Sequence, residues 1–173
     1  MKVVLSASVS LNGMIAREDG QEDWLPKDGW DDFVSEVDTF QNFIMGRETY
    51  ELVMKLYPDH NFDDVECGNK IIVTGNPDFQ TPDGYTVVRS PEEALDIVRN
   101  LGIDTALVIG GGKLNSQFLS RELIDEVWLT YNPHILGKGR PVFVGNDLDL
   151  SLTLISSELR NLGRIHSKYS VNK

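Results

Sequence analysis

Apolar positions along this chain fall into two alternating periods, and the alternation predicts strands and helices in turn. Val3 to Val9 reads as a short strand, punctuated at Gly13, and Gly20 to Gly29 as a loop holding Trp24, Leu25 and Pro26. Trp30, Phe33, Val34, Val37 and Phe40 recur at helical spacing, which predicts an amphipathic helix over Asp28 to Thr39 with acids in its first turn. Phe43-Ile44-Met45 is a buried strand broken by Gly46, Thr49 to Leu56 a helix, and Pro58 to Asn69 an acidic loop. Lys70 to Thr74 and Tyr85 to Arg89 are further strands. Ser90-Pro91-Glu92-Glu93 starts a helix: serine supplies a cap oxygen, proline fits the first helical position, and glutamate the third. That helix stops at Gly102.

Thr105 to Ile109 is another buried strand. It runs into three consecutive glycines, Gly110, Gly111 and Gly112, before a helical segment from Lys113 to Leu119. Ile124 to Tyr131 is a long strand, and Pro133 to Pro141 a loop in which Lys138 and Arg140 stand among glycines. Leu152 to Glu158 and Arg164 to Val171 predict an antiparallel hairpin around Asn161-Leu162-Gly163. Strands alternating with helices and closing on a hairpin predict an α/β fold of one domain over residues 1–173. Its central sheet is mixed and mostly parallel, flanked by helices, with an antiparallel edge.

Composition narrows the chemistry. With 173 residues, 40% apolar and 25% charged, an ordinary ordered domain is expected. No apolar stretch approaches the roughly 18 residues needed to span a bilayer, and the first residues lack a signal peptide's apolar core. A cytoplasmic protein that does not engage membranes is expected. The net charge of −11 argues against nucleic-acid binding, which needs a basic face, and any phosphate site must therefore be made locally. A single cysteine excludes an intrachain disulfide and a thiolate cluster. With His60, His134 and His166 far apart in sequence, no metal centre is expected.

A buried strand feeding bare glycine backbone into a helix N-terminus is an anion site in the making, because free N–H groups and the positive end of the helix dipole converge there. The run is not a Walker A loop, since Leu107 stands where that motif needs glycine and Leu114 follows the lysine. Nor is it the dinucleotide fingerprint G-x-G-x-x-G, whose third glycine is replaced by Asn115. A tight turn without a ligand is the alternative. A second constellation is Gly46-Arg47-Glu48-Thr49, where a guanidinium and a hydroxyl sit at another helix start and can hold a dianionic phosphate. A surface arginine that caps nothing is the bland reading.

The segments Ile44 to Glu51, Lys70 to Thr74, Arg89 to Ala94 and Val108 to Gly112 follow in the order seen in dihydrofolate reductases, which the chain resembles. Leu123 to Thr130, Pro133 to Gly139 and Ser8 to Ala16 are more similar to the C-terminal reductase domains of riboflavin biosynthesis, although Asn12 stands where that branch more often has aspartate. The resemblance implies a dihydrofolate reductase-like fold that binds NADPH. It places Gly46 at the cofactor, Arg47 and Thr49, with Thr74 and Arg89, at the adenosine phosphates, and Gly110, Gly111, Gly112, Lys113 and Leu114 along the pyrophosphate. Ala7 and Ile15 would flank the nicotinamide, with the Gly13 loop closing over it.

Hydride delivery to a C=N or C=O bond also needs a proton. In folate-reducing relatives a carboxylate on the first long helix contacts the pterin. Alignment on Leu25-Pro26 gives that place to Asp28, alignment on Phe33 gives it to Gly29, and Asp31 and Asp32 stay candidates. All three acids could instead simply complement the helix dipole. A partly buried carboxylate there should titrate high. Thr130 matches a hydroxyl position of the folate site. Trp24, Phe33 and Tyr50 could sandwich a flat heterocycle or pack in the core, and Lys138 or Arg140 could meet a substrate phosphate or be merely solvated. The zinc deaminase half that often accompanies the riboflavin reductase has no counterpart here, since H-x-E with P-C-x-x-C is missing. The expected activity is NADPH-dependent reduction of a small heterocyclic or carbonyl compound, with dihydrofolate or 5-amino-6-(5-phosphoribosylamino)uracil as the substrates to try. The alternative is an NADPH-binding module without turnover, a redox sensor or assembly partner. Relatives of this type are often homodimers, so a homodimer is expected.

Overall fold

Val3, Val4 and Leu5 are buried on both faces of their strand, which places the start of the chain at the middle of a sheet. The computed structural model describes residues 1–145 and 148–173. Its elements run β1 (Lys2–Ser10), β2 (Met14–Ala16), α1 (Asp28–Phe40), β3 (Phe43–Gly46), α2 (Arg47–Leu56), β4 (Lys70–Val73) and β5 (Tyr85–Val88). They continue with α3 (Pro91–Asn100), β6 (Thr105–Gly110), α4 (Gly112–Ser120), β7 (Glu126–Asn132), β8 (Arg140–Pro141), β9 (Leu152–Arg160) and β10 (Arg164–Val171). Among the described residues eight strands form one sheet in the order β5-β4-β3-β6-β1-β7-β10-β9. The strands from β5 through β7 are mutually parallel, and β10 and β9 add antiparallel to that end.

Alternation along the strands feeds two cores. Val4, Met45, Ile72 and Leu107 pack with Val37 and Phe40 of α1. Leu5, Ile44, Ile71 and Val108 pack on the other face with Ala94, Leu95 and Val98 of α3 and with Leu114 and Phe118 of α4. Buried Asn42 fixes the register at the heart of the sheet, its Nδ2 donating to Thr105 O at 2.8 Å and its Oδ1 accepting from Leu107 N at 3.2 Å. The chain leaves β1 toward β3 but leaves β6 toward β7. Neighbouring strands β1 and β6 therefore send their connections in opposite directions, and a crevice opens at their carboxyl ends.

The mostly parallel sheet, its antiparallel edge and the hairpin follow the sequence pattern. Several boundaries differ. α2 begins at Arg47 rather than Thr49, because Gly46 itself is the extended residue before the helix, and α4 takes Gly112 as its first residue. The strand expected from Ile124 starts at Glu126. The supposed acidic loop contains a 3-10 turn, Phe62–Asp64, capped by Asn61. The pairing of β2 with β8 is new, since strands of three and two residues are too short to carry a period. Ser90 does cap α3, accepting from Glu93 N at 3.1 Å. Ser90→Ala should therefore cost about 1 kcal/mol, read from the urea midpoint.

Candidate functional site

β3 and β6 are parallel neighbours with Met45 opposite Gly110, so the two glycine-tipped reversals stand side by side. Gly46 precedes α2 and Gly111 precedes α4, and neither helix start is capped by a side chain of the described residues. Two sets of first-turn amides are thus left for an anion. Gly111 N donates to Thr49 Oγ1 at 2.8 Å, locking one reversal to the other. A Cβ at Gly111 would stand 2.9 Å from that oxygen, and one at Gly112 only 2.3 Å from Pro141 O, so both positions exclude a side chain. The Gly110-Gly111 peptide is cis.

Cations ring this cradle. Arg47 Nη1 lies 2.7 Å from Glu51 Oε2, and Lys113 Nζ 3.0 Å from Glu48 Oε1. Exposed pairs of this kind are worth roughly 0–1 kcal/mol, so a phosphate can draw either cation away. Arg89 Nη1 donates to Asn76 O at 2.6 Å and to Thr74 O at 3.3 Å, and Thr74 Oγ1 accepts from Asn76 N at 3.1 Å. The cradle therefore fits a phosphate-bearing dinucleotide: bare amides, a hydroxyl and guanidinium groups that an anion can recruit.

The cradle is one half of a cleft of about 1330 Å³. The other half is floored by Ser6, Ala7, Ser8 and Thr130 and walled by Gly29, Asp32, Phe33 and Glu36, one stripe of α1. Asp32 Oδ2 lies 2.6 Å from Arg164 Nη1 and 3.2 Å from Arg160 Nη1, and Asp28 Oδ2 lies 2.7 Å from Arg164 Nη2. Glu22 and Glu36 also line the cleft, neither in an ion pair among the described residues. Burial pushes Glu22 up to about 7, and burial pushes Glu36 up against the pull of the Ser6 hydroxyl, Arg160 and Lys168. The Glu22 N–H donates to the Tyr57 hydroxyl at 2.9 Å, which pins the loop after β2 against the end of α2. Thr130 Oγ1 is 2.9 Å from Nδ1 of buried His166, whose imidazole is pushed down to about 4 by burial, with Arg160 and Lys168 adding to the effect.

The structure brings most of the expected cofactor residues to the cleft wall: Ala7, Ile15, Gly46, Arg47, Thr49, Thr74, Arg89, Gly111, Gly112, Lys113 and Leu114. Gly110 lies beneath the wall, beside the Asn115 side chain, and Gly13 turns at the base of its loop, where its carbonyl accepts from Val142 N. Of the substrate candidates, Phe33 and Thr130 reach the cleft. Trp24 stacks on His134 at 5.6 Å and half-buried Tyr50 packs on Tyr85 at 5.1 Å, and neither is among the residues lining the cleft. Lys138 is exposed on its loop, and Arg140 lines the cleft instead.

Of the three acids expected to manage the proton, one lines the cleft. Asp28 turns to Arg164, Asp31 is exposed away from the cleft, and Asp32 reaches the cleft already engaged by two arginines. The carboxyls that burial raises in the cleft are Glu22 and Glu36, which the sequence reading passed over. Glu36 was within reach of a helical wheel, being one turn beyond Asp32 and Phe33. His166 was not, since only the register of β10 against β7 puts it opposite Thr130.

Residues 1–163 match the profile of the RibD C-terminal domain family. YwjB of Bacillus subtilis is 36% identical over 149 residues, 82% of each chain. Among solved structures, a putative riboflavin biosynthesis protein from Shewanella sp. PV-4 superposes over the whole of both chains with a TM-score of 0.82 at 24% identity. Dihydrofolate reductase from Enterococcus faecalis, complexed with NADP(H) and RAB-propyl, superposes with a TM-score of 0.71 at 19% identity, over 99% of this chain and 97% of that one. The fold is dihydrofolate reductase-like.

Proposed function

We propose that the chain, which belongs to the RibD C-terminal domain family, is an NADPH-dependent reductase that transfers hydride to a small heterocyclic or carbonyl substrate. The observation that carries this reading is the pair of uncapped helix starts, α2 and α4, locked side by side by Thr49 and Gly111 next to the Arg47 guanidinium. When bound, the dinucleotide supplies the hydride; the protein supplies position, electrostatics and exclusion of water. Arg47, Thr49, Thr74 and Arg89 would receive the adenosine phosphates, the amides from Gly111 to Leu114 the pyrophosphate, and Ala7 with Ile15 the nicotinamide face.

Glu22 and Glu36 in the far half of the cleft favour a substrate with N–H groups to donate, which both dihydrofolate and 5-amino-6-(5-phosphoribosylamino)uracil offer. The reading includes a cytoplasmic homodimer. Among the described residues no helix is long and apolar enough to cross a membrane, and Leu152, Leu154, Ile155 and Leu159 lie exposed on β9, the free edge that a second copy could cover.

Isothermal titration with NADPH up to millimolar concentration should give one saturable site per chain. Absence of heat would remove the cofactor and with it the reductase. Loss of the reduced cofactor's absorbance with either named compound then separates turnover from binding alone.

A further inference from the structure

Behind the cleft lies a second cavity of about 210 Å³, and it shares two side chains with the cleft, Asp32 and Glu36. Its outer rim is formed by exposed Ser35 and Thr39 of α1, so it opens to solvent on the side away from the cofactor cradle. Its floor carries His166, Lys168 and Trp128. His166 Nε2 is buried there without a hydrogen-bond partner among the described residues, although Nδ1 is held by Thr130. An orphaned ring nitrogen lining a polar cavity of this size marks a place for ordered water.

The sheet register continues the same theme. Ser8 lies opposite Thr130, Thr130 opposite His166, and His166 opposite Glu158, a polar row across four strands from the cleft to the outer edge.

Resting on the reductase reading above, we propose that Glu36 gives the substrate its proton and is recharged through water in the second cavity. The carbon of the C=N or C=O bond accepts hydride from the reduced nicotinamide dinucleotide. The π pair moves onto the heteroatom, and the Glu36 O–H bond breaks to protonate it. The carboxylate left behind regains a proton relayed from solvent by cavity water, with the Thr130-bound His166 as the positioning residue that anchors that water. Asp32 does not serve, because Arg160 and Arg164 engage its carboxylate. Glu22 reaches the cleft but not the second cavity, so it has no separate route of resupply. The groups that set the Glu36 titration are Asp32 on its own helix, Ser6 on β1, Arg160 on β9 and Lys168 on β10. His166 in turn faces Arg160, Lys168, Glu158 and Asp32.

The test has two readouts. In cofactor-free protein with carboxyl-labelled glutamate, carbon NMR should show the raised resonances of Glu22 and Glu36, of which one disappears in Glu36→Gln, survives in Glu22→Gln and shifts its midpoint in His166→Phe. With NADPH and dihydrofolate, then the phosphoribosyl pyrimidine, single-turnover hydride transfer should slow as pH rises through that midpoint. In Glu36→Gln it should be on the order of 100-fold slower and flat across the same range, with part of the rate recovered in Glu36→Asp. A Glu36 that titrates at the ordinary value overturns the proposal even where NADPH binds. So does a pH limb that vanishes in Glu22→Gln and persists in Glu36→Gln. Failure of the parent protein to bind NADPH overturns the reductase reading instead, and is told apart because the titration needs no ligand.

Discussion

Arg47→Ala is expected to weaken NADPH binding by about 10- to 100-fold and to leave NADH nearly unchanged. Arg47 is the first residue of α2, beside free amides, and its side chain is 29% exposed. Its present partner, Glu51, is an exposed carboxylate four residues on, a pairing worth little, so removing the arginine should barely disturb the fold. A hydrogen bond to a charged group contributes about 1.5–3 kcal/mol, and each 1.4 kcal/mol is roughly a factor of ten in affinity. Only NADPH carries the additional ribose phosphate that such a guanidinium would meet. Fluorescence titration of both cofactors against parent and variant measures the ratio directly. Equal losses for the two would take Arg47 away from that phosphate and assign it to the pyrophosphate or to neither.

Arg164→Met should lower stability by about 3 kcal/mol, the low end of the 3–5 kcal/mol typical when one partner of a buried ion pair is removed. The guanidinium is only 3% exposed and binds two carboxylates of α1 at once, whereas Asp28 and Asp32 are 35% and 33% exposed and keep some solvent. Its Nε donates to Asn161 O at 3.2 Å, so it also braces the turn of the hairpin. Methionine fills the volume but leaves Asp28 without a cation and Asp32 with Arg160 alone, and Asp28 already has a buried oxygen without a partner among the described residues. Urea denaturation reads the loss as a lower midpoint. Arg164→Met combined with Asp28→Asn and Asp32→Asn should recover much of it, since the uncompensated charge is then gone. A triple variant no more stable than Arg164→Met would show that packing around the hairpin, rather than charge, sets the cost.

Much of this architecture was legible because it rests on local chemistry. Ser90-Pro91 announces a helix by capping and a fixed φ, and Gly110 to Gly112 announces a strand running straight into a helix. What was hidden depends on contacts between distant segments. The Thr49–Gly111 bond joins residues 62 positions apart, and no pattern within either segment implies it. Which acids face the cleft was hidden for a related reason. Trp30, Phe33, Val37 and Phe40 locate the buried face of α1, but which polar neighbours point into the cleft depends on how the helix is rotated against β1. That rotation puts Glu36 by Ser6 and leaves Asp31 in water. Asp28 matched a family position by alignment, yet Arg164, 136 positions away, claims it.

That long-range clamp has a consequence for synthesis. β10 is inserted between β7 and β9 rather than laid on the outside, so the sheet stays open on that side until the last strand emerges from the ribosome. Until then α1 lacks its counter-ion and the wall of the cleft lacks an anchor. Early segments must therefore wait, partly ordered, for late ones, and closure of such distant contacts makes folding slow.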